Sequence, residues 1–405
     1  MTQSDLSTPI LATPLAGLLA QARNQPELVE YRGVLTPRSL NPLETEIEAL
    51  AHGAALYDLG WKRRIAVRGE DRFRWLSGMV TNTVNDLFPN TGAWNFVLNA
   101  QGHILGDVTV WRGEEEQSAH ERNPHSGQKI CCDGENPALG TPFAGESGLE
   151  LVIDAHQSPK LLDHLNHFII MDDVELAPLS EEANGKSAPE TVLGLTGPHA
   201  SDVLERLGLP SFAHPMKGVR VEWNGIELRI VRTHGVLTAH YEFWVPVTSL
   251  HKFWQYLTTA GATPVGLAAI ERFRIAEGIP AYGIDIQERD LPQETSQTRA
   301  LHFNKGCYQG QEIVERIHAR GQVRRHLRSI ELSGPVPMAG TVLTLDGGAE
   351  AGRMTSVAEL PLASGLRKFA LAVLSAEAET GDRVLHYKVG EDEGSARILA
   401  TPPTL

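Results

Sequence analysis

Residues 305–312 read Lys-Gly-Cys-Tyr-Gln-Gly-Gln-Glu, and the apolar pattern of the next eight residues fixes how this segment must fold. From Glu312 to Arg320 the pattern is helical: Ile313, Val314 and Ile317 fall on one apolar stripe, and Gly321 stands where a left-handed residue closes a helix. The helix start then lies near Tyr308–Gln311, where unpaired backbone N–H groups and the helix dipole favour an anion. Gly306 and Gly310 allow the backbone to approach a ligand or another strand closely. A thiol at Cys307, two residues from the Lys305 ammonium, is expected to lose its proton more readily than a free cysteine.

The rest of the chain divides by pattern. Residues 1–42 read as an arm carrying a short helix, Leu15 to Arg23, and a proline-bearing extended stretch. From Leu43 the pattern becomes regular, with helices at 44–52, 71–79, 159–168, 199–207 and 250–260. Strands are expected at 62–67, 94–98, 104–111, 149–154, 192–195, 220–231 and 242–245. Residues 113–148, which begin with a triple glutamate and continue in Gly, Ser, Pro, Asn and His, read as a loop inserted on a hairpin. A second loose stretch covers 180–190. Beyond about residue 326, short strands and turns dominate, which suggests a small β-barrel. The expected architecture is α+β, with a body over 43–325 and a C-terminal barrel over 326–405.

Fifty acidic against 36 basic residues give a net charge of −14, so a broad nucleic-acid-binding face is not expected. The arginines at 316, 320, 324, 325 and 328 read as a solvated face beside a domain junction. Three cysteines, two of them adjacent, make no disulfide framework and suit a reducing compartment. Cys131 and Cys132, with His120 and His125, lack the spacing of a metal site, and no metal is expected. No stretch approaches 18 apolar residues and no signal-like N-terminus is present, so the chain reads as cytoplasmic, with no membrane partner. Neither a phosphate-binding P-loop nor a serine nucleophile elbow occurs.

Lys305-Gly306-Cys307-Tyr308-x-Gly310-Gln311-Glu312 resembles the signature of the YgfZ branch of folate-binding proteins, relatives of glycine-cleavage aminomethyltransferase (T-protein). Further blocks extend the resemblance over roughly residues 43–330. They are Ala51–Asp71, the 73–87 stretch with Val80-Thr81-Asn82, Asn99–Asp107, Tyr241–Pro246 and Arg274–Gly283. The resemblance implies a body of two intertwined α+β domains around a central folate cavity, with the barrel beside it. It also implies a cofactor, tetrahydrofolate or a one-carbon derivative, and a role in iron–sulfur cluster assembly or repair, hence in tRNA modification. Iron–sulfur enzymes or assembly proteins are the implied partners, and a monomer is expected. An authentic aminomethyltransferase and a non-catalytic folate-binding scaffold are the alternatives. If the protein is an enzyme, it is an aminomethyltransferase-like transferase.

The same resemblance assigns roles to single residues. Asp107 matches the aspartate that positions the folate nitrogen in T-protein, where two adjacent acids are common; here Gly106 precedes it. Asp107 is read at the end of its strand, and the competing reading is an aspartate satisfying a turn. Glu242 resembles the glutamate that pairs with the amino-pyrimidine edge of the pterin, a match for two carboxylate acceptors. The competing reading is a glutamate on an edge strand. The T-protein arginine expected some 28 residues later falls on Ile270, so Lys305 or a nearby arginine would hold folate's acidic end. Lys305 also serves as a candidate for stabilising the thiolate, and Tyr308 for cofactor contact. Glu277 is too ambiguous to assign, and Tyr57, Trp94 and Tyr282 are candidates to line a pterin slot. Cys307 keeps three readings: a nucleophilic or redox-sensitive thiol, a transient ligand to an iron–sulfur species, or a packed cysteine. His302 and His318 are its nearest candidate bases in sequence.

Overall fold

Strand and helix patterns that looked separate in sequence form one long sheet. The computed structural model describes residues 10–21, 25–113, 148–179, 189–321, 323–380 and 383–405. Eleven strands run in the order Thr263–Pro264, Ala55–Asp58, Glu190–Thr196, His240–Pro246, Ile226–Thr233, Lys217–Trp223, Thr91–Leu98, Ile104–Arg112, Leu149–Asp154, Lys62–Arg68 and Glu175–Pro178. All neighbours are antiparallel except the first pair. The two halves meet at a single register pair, Lys217 with Thr91. The chain crosses between halves directly after Asp58, because Ala55–Asp58 belongs to one half and Lys62–Arg68 to the other. This exchange intertwines the halves.

The halves also face one another. Lys62 is paired with Glu242, and Arg64 with Glu190, although those partners lie in the other half of the sheet. Glu150 accepts from Arg64 Nη2 at 2.5 Å and from Arg229 Nη1 at 2.7 Å. The guanidinium of Arg229 lies 5.3 Å from the Trp111 ring and 5.9 Å from the Trp244 ring, and that of Arg64 lies 5.3 Å from Trp244. Charged groups taken out of water need partners of this kind. Around them Trp111, Val152, Val192, Val231 and Trp244 belong to one continuous core cluster.

The C-terminal part closes a six-stranded antiparallel barrel, from Arg325–Ser333 to Asp392–Ile398, in agreement with the α+β body-plus-barrel expectation. The helix Leu267–Glu277 sits between body and barrel and touches the strands Glu350–Leu362 and Gly365–Ser375. Its Phe273, Arg274, Ile275, Ala276 and Glu277 are consecutive and all buried.

Several expectations need correction. The extended part of the arm is a β-hairpin, Leu28–Tyr31 with Val34–Pro37, turning on Arg32 and Gly33 with φ of 50° and 84°. The arm helix spans only Pro14–Leu19. The 220–231 strand is two strands joined at Asn224-Gly225, where φ of 51° and 73° makes the two-residue turn that pairs Trp223 with Ile226. Residues 114–147, with Cys131 and Cys132, and 180–188 lie outside the described residues. Arg316, Arg325 and Arg328 are ion-paired with Glu312, with Asp290 and Glu294, and with Glu379, respectively. No helix among the described residues is long and apolar enough to cross a membrane.

Candidate functional site

The 305–312 segment is held by the turn Val80-Thr81-Asn82. Thr81 exchanges backbone bonds with Phe96 and His302, and its Oγ1 donates to Ala300 O at 2.7 Å. Asn82 Nδ2 donates to Trp94 O at 3.0 Å and to Arg299 O at 2.8 Å. Lys305 closes this arrangement: its Nζ donates to Val80 O and Asn82 O, both at 2.7 Å, and lies 5.2 Å from the Tyr308 ring. Burial pushes its pKa down to about 7, whereas the two carbonyl acceptors favour the charged amine. Tyr308 is 7% exposed and belongs to one core cluster with Phe96, Leu98 and Ile104, against which Trp94 and Tyr282 pack. Its hydroxyl has no partner among the described residues.

The helix Gln311–Arg320 begins where expected, after Gly310 in the left-handed region at φ 79°. A Cβ there would lie 2.7 Å from Asn99 O, so this glycine serves contact between two backbone segments. Gly306 has open space around it. Cys307 is exposed, which removes the packed-cysteine reading. No described residue hydrogen-bonds its sulfur, and Lys305 is committed to the interior carbonyls. His302 Nδ1 accepts from Asn304 N at 3.3 Å, and His318 is stacked on Phe303 at 3.9 Å. Neither histidine is bonded to the thiol.

Asp107 lies within the strand Ile104–Arg112, not at its end, so the turn reading fails. Trp94 Nε1 donates to Oδ2 at 2.8 Å and Gln157 Nε2 to Oδ1 at 2.9 Å, while Gln157 Oε1 accepts from the Asp107 backbone N–H at 3.0 Å. Burial above all, then the charge of Asp154, pushes the carboxyl pKa up; Gln157, Trp94 and Arg32 oppose this. A carboxylate whose pKa is raised in this way is suited to exchanging or sharing a proton. Gly106 has a steric cause: a Cβ there would lie 2.7 Å from Gln157 Oε1 and 2.8 Å from Leu161 Cδ1. The helix Ser158–His167 therefore occupies the space that a second acid would need.

Glu242 is buried on His240–Pro246, a central strand of the sheet, which removes the edge-strand reading. Lys62 Nζ donates to its Oε1, and no described residue bonds Oε2. The carboxylate thus offers one open oxygen rather than a free pair. Tyr57 packs against Gly194, and burial raises its pKa first, with Glu242 and Glu277 adding to the effect. Glu277 accepts from Leu237 N at 2.9 Å and Val236 N at 3.2 Å and pairs with His240, so it braces the 236–237 loop. Tyr282 donates its hydroxyl to Leu105 O at 2.6 Å.

Asp107, Lys305 and Tyr308 are therefore joined through Trp94 and Asn82, whereas Glu242 has no bond into this network. Arg299 joins it unannounced by the sequence, with its guanidinium 4.9 Å from the Trp94 ring. Lys62 and Gln157 were likewise missed. So was Arg32, which reaches from the arm hairpin to pair with Asp154. A cavity of about 410 Å³ opens between the 284–290 loop and the barrel, and one of about 540 Å³ lies against Lys160, His164 and Leu105. Neither is lined by Asp107, Glu242 or Cys307. No cluster of three or more metal-ligating side chains occurs among the described residues.

Residues 23–124 and 170–305 match the family model described as the GCVT N-terminal domain. The chain is 26% identical over 378 residues to an aminomethyltransferase of Rubrobacter xylanophilus, covering 93% of this chain and 90% of that protein. It is 24% identical over 335 residues to an aminomethyltransferase of Synechocystis sp., covering 80% and 78%. The fold is similar to the glycine cleavage system aminomethyltransferase T of Bartonella henselae, with a TM-score of 0.77 and 19% identity over 96% of this chain and 97% of that one.

Proposed function

This chain belongs to the GCVT-domain family, and from that premise we propose that it is a tetrahydrofolate-binding protein of the YgfZ type. In this reading it supports assembly or repair of iron–sulfur clusters and, through them, tRNA-modifying enzymes. The observation that carries it is the split character of the 305–308 segment. Cys307 is exposed, while Lys305 and Tyr308, on either side, reach into the network that holds Asp107. The thiol is thus available to a partner beside the residues that hold Asp107.

The residues present suit a folate. Asp107 and the open oxygen of Glu242 are acceptors for ring N–H groups, Trp94 and Tyr282 supply aromatic surface, and Arg299 and Lys305 are cations for its acidic end. When bound, tetrahydrofolate carries a one-carbon unit. Asp107 orients the ligand as an acceptor, and Trp94 and Gln157 fix the direction in which its carboxyl points.

The second reading is aminomethyl transfer, in which a methylene unit passes from a lipoyl-bound aminomethyl group to tetrahydrofolate. Asp107 favours it, as do the names of the relatives above. Gly106 and Ile270 stand against it. Calorimetric titration with tetrahydrofolate, beside Glu242→Ala, tests the shared premise; absence of binding by folded protein leaves a scaffold role. A coupled assay with aminomethylated lipoyl carrier protein then separates the two readings, because only the transferase forms methylene-folate. Full activity of Cys307→Ala in cells lacking the native gene would remove the thiol from the first reading.

A further inference from the structure

Gly106 leaves no room for an acid beside Asp107 in its own strand, yet the next strand supplies one. Leu149–Asp154 runs antiparallel to Ile104–Arg112 with Thr109 opposite Val152, and the same register carried two residues further brings Asp154 across from Asp107. Side chains opposite one another in such a ladder lie on one face of the sheet. Gln157 ties the two residues together: its N–H donates to Asp154 O at 3.0 Å, while its side chain bonds the Asp107 carboxyl and backbone N–H. The counter-charge comes from the arm. Arg32, at the tip of the hairpin, pairs with Asp154, and the two side chains are mostly buried, at 21% and 13% exposure. Three contacts seat that tip. Arg32 O accepts from His156 N at 3.1 Å, a Cβ on Gly33 would lie 3.3 Å from the same nitrogen, and Tyr31 donates its hydroxyl to Glu271 at 2.5 Å. The groups that face Asp107 are therefore Asp154 and His156 from the strand end and the turn after it, Arg32 from the arm, Trp94 and Gln157 through hydrogen bonds, and Tyr282. After burial, the charge of Asp154 does most to raise the proton affinity of Asp107, and Arg32 works against it together with Gln157 and Trp94. With two carboxyls against one guanidinium, each charge depends on the others.

We propose that the Asp154–Arg32 ion pair is the positioning element of the candidate site: it sets the charge that Asp107 presents to a ligand, and the arm hairpin, by supplying Arg32, completes the site. This rests on the reading of Asp107 as the carboxyl that orients a folate. Neither Asp154 nor Arg32 needs to touch the ligand. Asp154 favours the protonated Asp107 and Arg32 favours the carboxylate, and their balance decides whether a ring N–H group meets an anionic acceptor. An arm that lifted away would take its cation with it and leave two carboxyls facing each other.

The test follows the Asp107 carboxyl directly, by NMR titration of its carboxyl carbon in the full-length protein, with the resonance assigned by its loss in Asp107→Asn. Asp154→Asn should move the midpoint down and Arg32→Gln should move it up, each by about one pH unit, while Arg32→Lys stays near wild type. Opposite shifts mark a charge effect, because loosening of the site would expose the carboxyl and lower both midpoints; circular dichroism checks that each variant is folded. An unmoved midpoint in Asp154→Asn, or a fall in both variants, overturns the proposal. Calorimetric titration with tetrahydrofolate over the same pH range separates this proposal from the reading it rests on. Affinity should follow the carboxylate form of Asp107, falling by up to about tenfold per pH unit below the midpoint, and that fall should move with the midpoint in each variant. If the midpoints move in opposite directions and the affinity does not follow them, the ion pair stands as the element that sets the charge of Asp107, and the folate-orienting role of Asp107 falls.

Discussion

Glu150→Ala should be among the most damaging single substitutions in the body. Glu150 is 8% exposed and stands between Arg64 at 4% and Arg229 at 1%. It accepts three bonds, from Arg64 Nη2 at 2.5 Å, Arg64 Nε at 3.1 Å and Arg229 Nη1 at 2.7 Å. Those two arginines hold its pKa down to about 2, against the effect of burial. Alanine would leave two guanidiniums inside the protein with less counter-charge than they need; Arg64 keeps Glu190, in the other half of the sheet. Breaking a buried pair from one side costs about 3–5 kcal/mol. With a urea slope of roughly 3 kcal/mol/M, the unfolding midpoint should fall by about 1 M or more. Tryptophan fluorescence suits the assay, since Trp111 and Trp244 stack on these guanidiniums. The control is the triple replacement Arg64→Met, Glu150→Leu, Arg229→Met, which removes the two arginines and the carboxylate between them together, leaves the half-buried Glu190 without its Arg64 partner, and should cost far less. A shift below about 0.3 M for Glu150→Ala, roughly 1 kcal/mol at that slope, or a triple variant as unstable as the single one, would refute the reasoning.

Three other outcomes are expected. Burial pushes the Lys305 pKa from 10.5 down to about 7, so the folded chain gives up this proton before the unfolded one does and stability should rise with pH between those values. Lys305→Arg should flatten that profile, as melting temperatures at pH 6.5 and 8.5 would reveal. Because the Asp107 pKa is raised on folding from 3.8, its contribution to stability is complete below that value and is lost as pH rises through the folded pKa. Melting temperatures should therefore shift in favour of Asp107→Asn between acid and neutral pH, while tetrahydrofolate binding weakens. Gly310→Ala forces an L residue into the left-handed region at φ 79° and against Asn99 O; thermal unfolding should register a loss of about 2 kcal/mol or more.

What the sequence disclosed depended on how local the determinant was. The Gln311–Arg320 helix, the left-handed glycine at 321 that closes it, and the presence of a C-terminal barrel follow from turn chemistry and periodicity, and were legible. The Leu267–Glu277 helix was not, because body and barrel bury it from several sides and it shows no single apolar stripe. The Asn224-Gly225 turn carried a readable hairpin signal, and treating 220–231 as one strand overlooked it.

The candidate site divides in the same way. Asp107, Glu242 and the 305–308 segment could be named from sequence, but their partners could not. Lys62 reaches Glu242 across 180 positions, and Gln157 reaches Asp107 across 50. Those partners change the chemistry inferred from the residues themselves. Lys305, two residues from the cysteine, looked like the charge that would activate the thiol; instead the fold turns its amine towards Val80 and Asn82 and leaves Cys307 outside. Glu242 looked free to grip a ring edge with both oxygens; Lys62 already occupies one. Gly106 looked like the loss of a catalytic acid, yet the Gln157 and Leu161 side chains leave no room for any side chain there. The half-buried Asp107 carboxyl therefore stands alone on its strand, and the Cys307 thiol stands apart from it at the surface.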